Sequence, residues 1–227
     1  VAPAMWLWED SRLFRYWRAF APYYYIFAVS QEAPFTEALR GVGVENSLYL
    51  PRAAEPGVHK PLELGPADKK RFGADLSFMG AGYPNRRQAF RQLAGYDFKM
   101  WGTEWDEEPA LAQHLQMKGQ RISPEDAVRI FNAAKINLNL HSGTRRDQAV
   151  TGGDYVNPRT FEIAAAGAFQ LVDKRTLMPA MFAEDELATF GSMEELLEKV
   201  DYFLARPEDR AAYARRGQER VLLDHAY

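Results

Sequence analysis

Short apolar runs alternate with helical segments along the whole chain, and this alternation is typical of an α/β fold. Seven runs have the length and composition of buried strands: residues 4–8, 25–30, 47–50, 76–79, 98–102, 136–140 and 168–172. Helices are predicted over residues 11–20, 34–40, 109–117, 193–204 and 207–223. Three more are predicted: one that ends at residue 93, one that begins after Ser123 and one that begins after Asn157. Strands that alternate with helices predict Rossmann-like parallel sheets.

The helix after Asn157 has the clearest boundaries. Asn157 is a favourable N-cap and Pro158 suits the first helical position, while Gly167 can take the left-handed conformation that ends a helix. Three alanines, residues 164–166, leave one face of this helix almost without side-chain bulk. We therefore expect the helix to lie close against a sheet.

The pattern divides the chain into two regions. Residues 1–65 contain three predicted strands, about half of a usual Rossmann domain, and end in a proline-rich stretch that suits a linker. Residues 66–227 contain the other four predicted strands and can form a core of their own. We predict a partial N-terminal domain over 1–65 and a C-terminal domain over 66–227, and we expect the chain to be part of a longer protein.

Composition narrows the classes of function. The 227 residues carry a net charge of -3, and nonspecific nucleic-acid binding needs a basic surface, so we expect no nucleic-acid partner. No apolar run approaches the roughly 18 residues of a membrane span, so we expect no transmembrane segment. The absence of cysteine excludes disulfides and cysteine-ligated zinc and suits a cytoplasmic protein. With four histidines, all far apart in sequence, we predict no metal site.

A glycine loop follows the strand that ends at Met79. Gly80 and Gly82 would let the backbone approach a ligand, and Arg86 adds a positive charge at the start of the next helix. These features suit a diphosphate. The alternative is a tight strand-to-helix turn with a solvated arginine.

Two charged residues, Arg159 and Glu162, lie on one surface of the helix that begins after Asn157. The start of a helix after a parallel strand points into the ligand crevice of an α/β sheet. A cation near the positive end of a helix is unfavourable unless an anion offsets it, which indicates a phosphate nearby. The alternative is a surface ion pair between these two residues.

The segment from Asn157 to Asp173 resembles the sugar-nucleotide site of GT-B glycosyltransferases, in particular the CgeB-like (spore-maturation) branch of glycosyl transferases group 1. The similarity extends to FMGAGYPNR, to the stretch from Lys118 to Asp126, and to WLWED, PYYYIFAVSQEAPFTEALR and YLPRA near the N-terminus. The resemblance implies a GT-B-like α/β fold with an incomplete N-terminal, acceptor-side domain and a C-terminal domain that binds a nucleotide sugar.

The resemblance also implies roles for single residues. Glu162 would hold the ribose hydroxyls, within a donor site that includes Asn157, Arg159 and Thr160. Backbone at Arg121 and Ile122 would frame the nucleobase. Asp154 stands where many relatives carry a longer acidic residue beside the transferred sugar, eight positions before Glu162.

His141 ends a predicted strand, where α/β ligand sites lie, so it could touch the donor phosphate or sugar. It could equally be a histidine whose nitrogens bond to the local backbone. The long loop over residues 141–156 is either a flap over the donor or a surface loop.

We therefore predict a metal-independent glycosyltransferase without a cofactor, which moves a sugar from a nucleotide-sugar donor to an acceptor hydroxyl of unknown type. Two alternatives stay open: a non-catalytic module that binds nucleotide or sugar, and a sugar-nucleotide epimerase of the same architecture.

Overall fold

The computed structural model describes residues 2–7, 14–31, 35–143, 149–150 and 154–227, which form two compact units. The first contains the described residues within Val1–Arg52, Gly153–Val156 and Arg175–Met178. The second contains those within Ala53–Gly152, Asn157–Lys174 and Pro179–Tyr227. Residues 53–65 thus pack with the second unit. The predicted boundary between an N-terminal domain over 1–65 and a C-terminal domain over 66–227 stays a prediction.

The first unit is built on a three-stranded parallel sheet in the order β1-β2-β3. Its strands are β1 (Ala4–Leu7), β2 (Ile26–Val29) and β3 (Ser47–Tyr49), and its helices are α1 (Phe14–Trp17) and α2 (Phe35–Arg40). Buried side chains from β1, β2 and α2 form its core. The helix predicted over 11–20 is observed in its middle part, and residues 8–13 lie outside the described residues.

The second unit is a five-stranded parallel sheet in the order β5-β4-β6-β7-β8. Its strands are β4 (Leu76–Met79), β5 (Phe98–Trp101), β6 (Ile136–Asn139), β7 (Gln170–Asp173) and β8 (Ala188–Phe190). Its helices are α3 (Pro66–Phe72), α4 (Pro84–Phe90), α5 (Pro124–Ala133), α6 (Pro158–Ala165), α7 (Met193–Leu204) and α8 (Pro207–Asp224). The predicted α/β class with parallel sheets is confirmed.

Helices cover both faces of the larger sheet. Strand residues such as Leu76 and Phe78 pack with α4 and α7 residues in the main core cluster, while Ile130 of α5 packs with Phe72 and Trp101 in another. Because both faces are buried, most strand positions are apolar, and polar strand residues such as Ser77, Asn137 and Asn139 are buried with hydrogen-bond partners.

Three elements differ from the prediction. Helix α3 lies at the start of the second region, where no helix was predicted. Strand β8 was not predicted either. The helix expected over 109–117 is a 3-10 helix over Pro109–His114. Short elements of three to seven residues carry too few periodic positions to be recognised from a pattern.

The small face of α6 meets another helix as well as the sheet. Ala164 faces Gly217 of α8, where an added Cβ would lie 3.8 Å from the Ala164 Cβ and 2.6 Å from the carbonyl oxygen of Glu186. The small side chain of Ala164 therefore also serves the approach of α8. Gly167 has φ of +64°, the left-handed conformation predicted for the end of this helix.

The strand order creates a crevice between β4 and β6. From β4 the chain moves outward to β5, and it then returns to the other side of β4 to form β6. Loops that leave the carboxyl ends of β4 and β6 therefore diverge, and ligands of open α/β sheets bind at such a point. The loop that begins at Gly80 and the loop that begins at Leu140 border this crevice.

We predict that Gly217→Ala destabilises the protein although alanine is the better helix former. Helix propensity alone would favour alanine by about 1 kcal/mol. The contact with the Glu186 carbonyl should outweigh it and lower the free energy of unfolding by about 1–3 kcal/mol. Urea denaturation followed by circular dichroism measures the change.

Gly95→Ala is the matched control, because a Cβ at Gly95 has no atom within 4 Å and should leave stability nearly unchanged. Stabilisation by Gly217→Ala would show that α8 does not pack against the rest of the unit this closely.

Candidate functional site

The glycine loop after β4 closes one side of the crevice. The N–H groups of Gly80 and Gly82 donate to the carbonyls of Trp101 and Thr103, at 2.9 and 2.8 Å. Gly82 is buried, and a Cβ there would lie 2.2 Å from the carbonyl oxygen of Glu104. Loop packing therefore requires this glycine, and the approach of Gly82 to a ligand stays a prediction. Gly80 does line the cavity described below.

Arg86 joins the two loops at the crevice. Its Nε donates to the carbonyl of Leu140 at 2.8 Å and its Nη1 to the carbonyl of Ala81 at 2.9 Å. Burial lowers the pKa of Arg86 to about 10, and the Asp173 carboxylate offsets only part of that effect. Two of its nitrogens therefore brace the loops, and a direct contact of Arg86 with a ligand stays a prediction. Its positive charge remains close to the crevice.

The amino end of α6 is held by buried side chains. The Asn157 Oδ1 accepts from the Thr160 N–H at 3.0 Å, which confirms the predicted N-cap. The Asn157 Nδ2 donates to the Asn139 Oδ1 at 2.8 Å, and the Asn139 Nδ2 donates to the Thr160 hydroxyl at 3.0 Å and to the Gln170 Oε1 at 3.1 Å. Thr160 is fully buried. Asn157 and Thr160 therefore position the helix, and a contact of either residue with a donor stays a prediction.

His141 belongs to the same network. Its Nε2 accepts from the backbone N–H of Asn157 at 2.9 Å, so the proton of the neutral ring is on Nδ1. That nitrogen lies 2.6 Å from the Asp173 Oδ1, which also accepts from the His141 backbone N–H at 2.8 Å. Both side chains are buried. Both ring nitrogens have these partners, which is the arrangement of the locally bonded alternative, and the expected contact of His141 with the donor stays a prediction.

A cavity of about 590 Å³ opens at the carboxyl ends of the strands in the second unit. This volume lies within the usual range of about 300–1,000 Å³ for small-molecule sites. Its walls come from the loops after β4 and β5, the start of α5, the start of α6 and the turn at residues 58–59. The lining residues are Val58, His59, Met79, Gly80, Ala81, Gly102, Thr103, Arg121, Ile122, Ser123, Pro124, Ala127, Arg159 and Glu162.

Arg159 and Glu162 lie together on the α6 wall of this cavity. The Arg159 Nη1 donates to the Glu162 Oε2 at 2.6 Å, and 32% and 20% of the two side chains are exposed. Burial lowers the pKa of Arg159, and the Glu162 carboxylate offsets part of this effect. The pair has the geometry of the surface-pair alternative, but it lines a cavity. Within the described residues, the Glu162 Oε1 has no hydrogen-bond partner.

Arg121 and Ile122 form the opposite wall. They follow a turn in which Met117 and Lys118 both have φ of +51°, a conformation that non-glycine residues rarely adopt. Arg121 is exposed and Ile122 half-buried. In the described part of the chain, neither the N–H nor the C=O of Ile122 has a backbone partner. These groups remain available to a ligand in the cavity.

Asp154 belongs to the first unit, where its Oδ1 accepts from the Gln31 Nε2 at 3.3 Å. Its proposed position beside a transferred sugar stays a prediction. The flap predicted over residues 141–156 falls largely on residues 144–148 and 151–153, which lie outside the described residues.

Several residues of the site were missed in the sequence. Val58 and His59 lie in the proline-rich stretch that was interpreted as a linker, yet they line the cavity. Asn139, Gln170 and Asp173 lie in runs interpreted as buried strands. Polar residues inside such runs were the available signal, because buried polar groups need partners and those partners build the network under α6.

Comparison with known proteins identifies the family. Residues 85–227, more than half of the chain, match the glycosyl transferase-like family. The chain belongs to that family. It is 26% identical over 180 residues to spore protein CgeB of Bacillus subtilis (strain 168), which covers 74% of this chain and 54% of CgeB. The resemblance to glycosyl transferases of group 1 is thus confirmed, and the chain spans little more than half the length of this curated relative.

Solved structures of glycosyltransferases share the fold. Anabaena HepE in complex with UDP-glucose has a TM-score of 0.70 at 11% identity, covering 99% of this chain and 68% of HepE. Sucrose-phosphate synthase of Thermosynechococcus elongatus has a TM-score of 0.61 at 15% identity, covering 96% of this chain and 59% of the synthase. These likenesses confirm the predicted GT-B-like fold. No helix within the described residues is both long and apolar enough to cross a membrane.

We predict that His141→Ala lowers the free energy of unfolding. In this variant the Asn157 N–H loses its acceptor and the Asp173 carboxylate loses its donor on the ring, and both groups are in a buried region. The expected loss of stability is about 1–3 kcal/mol for an unsatisfied buried group. It is larger if the Asp173 carboxylate, which also loses its ring partner, stays charged. Urea denaturation measures it.

Glu219→Ala serves as the control, since Glu219 pairs with Arg215 on the exposed surface of α8 and should change stability by less than about 1 kcal/mol. An equally small effect of His141→Ala would mean that the histidine does not hold the amino end of α6.

Proposed function

We propose that the chain binds a nucleotide-sugar donor in the cavity of the second unit and that the protein transfers the sugar to an acceptor hydroxyl. The observation that carries this proposal is the Arg159–Glu162 pair at the amino end of α6, on the wall of a cavity at the carboxyl ends of parallel strands. Family membership supports a transferase.

Glu162 is the proposed ribose ligand. Its carboxylate is four-fifths shielded from solvent, and its Oε1 has no protein partner within the described residues. Ribose hydroxyls are donors, and a hydrogen bond to a carboxylate is among the stronger ones. Binding would replace water at Oε1 and let the ribose share Oε2 with Arg159.

Arg159 is the proposed diphosphate ligand, and Gly80 lines the same cavity beside it. The guanidinium group is half-buried beside the positive end of a helix, and burial disfavours its charged form. A bound diphosphate would offset both costs. Arg86 would add to the positive potential, although its own hydrogen bonds go to carbonyl oxygens.

The nucleobase would lie between the backbone of Arg121 and Ile122 and the first turn of α5. Ile122 offers one N–H and one C=O, which suit a base edge that carries an acceptor next to a donor. Ala127 on this wall is small and apolar, so a planar ring could pack closely there.

The proposed reaction breaks the bond from the anomeric carbon to the diphosphate and forms a bond from that carbon to the acceptor oxygen. Negative charge then develops on the leaving diphosphate, and fixed cationic groups can stabilise it without a metal ion or cofactor. Asp154 is proposed as the acidic group beside the transferred sugar. His141 is not retained as the base, because its Nε2 already accepts from the Asn157 N–H.

The ligands of the structural neighbours guide the choice of probes. Anabaena HepE is described with UDP, with UDP and glucose, and with UDP-glucose, and a trehalose-phosphate synthase of Burkholderia vietnamiensis is described as UDP-forming. UDP and UDP-sugars are therefore the first ligands to test, followed by GDP, ADP and their sugars. The nature of the acceptor and the cytoplasmic location stay predictions.

A non-catalytic binding module remains the competing function. It is favoured by the hydrogen bonds of His141, which occupy both ring nitrogens of that candidate catalytic residue. Release of nucleoside diphosphate from a nucleotide sugar, measured with and without acceptor candidates, separates the two. Binding without release would support the module, and product formation without an acceptor would instead reveal an epimerase.

We predict that Glu162→Gln weakens the binding of the best nucleotide among UDP, GDP and ADP by about 10–100-fold, since the amide is a weaker acceptor for ribose hydroxyls than the carboxylate. A ligand at 100 times its dissociation constant stabilises the wild type by about 2.7 kcal/mol, so the loss is visible as a smaller thermal shift. Isothermal titration calorimetry gives the affinities.

Glu219→Ala on the exposed face of α8 should leave binding unchanged. Equal weakening by both variants, or full affinity of Glu162→Gln, would remove Glu162 from the donor site.

A further inference from the structure

A compact turn at residues 55–59 brings a histidine to the donor cavity. The N–H groups of Val58 and His59 donate to the carbonyl of Glu55 at 3.0 and 2.7 Å, and the Gly57 N–H donates to the Glu55 Oε1 at 3.0 Å. The Glu55 N–H donates to the His59 Nδ1 at 3.2 Å. Four hydrogen bonds within five residues fix this turn, and one of them holds the His59 ring to it.

The hydrogen bond at Nδ1 determines which nitrogen carries the proton. A backbone N–H can only donate, so the His59 Nδ1 is the acceptor and the neutral ring carries its hydrogen on Nε2. His59 therefore offers an N–H donor at the far side of the ring. This is the reverse of His141, whose Nε2 accepts from a backbone N–H.

The flanks of the turn are anchored to the second unit. On one side, Ala54 exchanges backbone hydrogen bonds with His225 and Tyr227, at 2.9 and 3.0 Å. On the other side, the Leu62 N–H donates to the Asn132 Oδ1 on α5 at 3.0 Å. The turn is thus fixed at both ends, next to the helices that form the cavity walls.

The anchors also indicate which part of the cavity the turn borders. Leu62 packs with Phe131 and Ile163, which lie further along α5 and α6, whereas His59 lines the cavity with residues near the starts of those helices. Among these are Arg159 and Glu162, the proposed diphosphate and ribose ligands. Every oxygen of a ribose or diphosphate can accept a hydrogen bond.

We propose that His59 is a further donor-binding residue, whose Nε2–H donates to a ribose or diphosphate oxygen of the nucleotide while its Nδ1 stays bonded to the Glu55 N–H. The inference rests on the proposed nucleotide-sugar binding. It assigns a ligand contact to the proline-rich stretch that was interpreted as a linker.

Two isosteric variants separate a ligand contact from a structural role. In His59→Asn the amide oxygen can replace Nδ1 as the acceptor within the turn, but nothing reaches the position of Nε2. In His59→Gln the amide nitrogen can replace Nε2 as the donor to the ligand. We expect His59→Asn to weaken nucleotide binding by about 5–15-fold and His59→Gln by less than about 3-fold, measured by calorimetry with UDP, GDP and ADP.

The reverse order, with Asn retaining affinity and Gln losing it, would show that only the turn matters and would overturn the inference. Full affinity in both variants would overturn it as well. If both variants bind weakly, nuclear magnetic resonance of the His59 ring nitrogens in the wild-type protein distinguishes the two roles. We expect the Nε2 resonance of His59 to move on addition of nucleotide and that of Nδ1 to stay, and an unmoved Nε2 resonance would refute the contact.

Two further comparisons identify which oxygen of the nucleotide His59 contacts and separate this inference from the proposed function. Loss of affinity for uridine as large as the loss for UDP indicates a ribose contact, and a loss seen only with UDP indicates the diphosphate. If Glu162→Gln weakens binding and His59→Asn does not, the inference about His59 alone fails. If the wild-type protein binds none of the nucleotides, the proposed function fails and takes this inference with it.

Discussion

Buried hydrogen bonds fix the amino end of α6 to the sheet, and the candidate site depends on them. Asn157 caps the helix and bonds to Asn139 on β6, while His141 and Asp173 join the ends of β6 and β7 to the Asn157 backbone. A partly satisfied network in this position would be costly, because each unpaired buried group forfeits its hydration. The network therefore places the first turn of α6, and with it the functional pair, within narrow limits.

The pair itself is an unfavourable arrangement that a ligand would relieve. Arg159 stands near the positive end of α6, is half-buried and has a lowered pKa, and among the described residues its carboxylate partner is Glu162. A protein without a ligand gains little from such a cation, whereas a protein that binds a diphosphate gains a charge-assisted contact. The order of strands β4 and β6 puts this pair at the one edge of the sheet where diverging loops leave room for a ligand.

Much of the fold could be predicted from the sequence, and less of the site. Apolar runs located seven strands, and Asn157 with Gly167 bounded α6, because caps and buried strands leave local signals. The roles of Gly82, Arg86, Thr160 and His141 could not be predicted, since each is determined by groups distant in sequence, such as the Glu104 carbonyl or Asp173. His59 was overlooked because its stretch of prolines and glycines resembles a linker, although its local bonds make it rigid.

The most direct test is a crystal structure of the protein with a bound nucleoside diphosphate, UDP first. The account predicts that the ribose hydroxyls lie within hydrogen-bond distance of Glu162, that the diphosphate contacts Arg159 near Gly80, and that the His141 bonds to Asp173 and Asn157 stay intact. A nucleotide bound elsewhere, or bound in this cavity with the Arg159–Glu162 pair undisturbed and out of its reach, would contradict it.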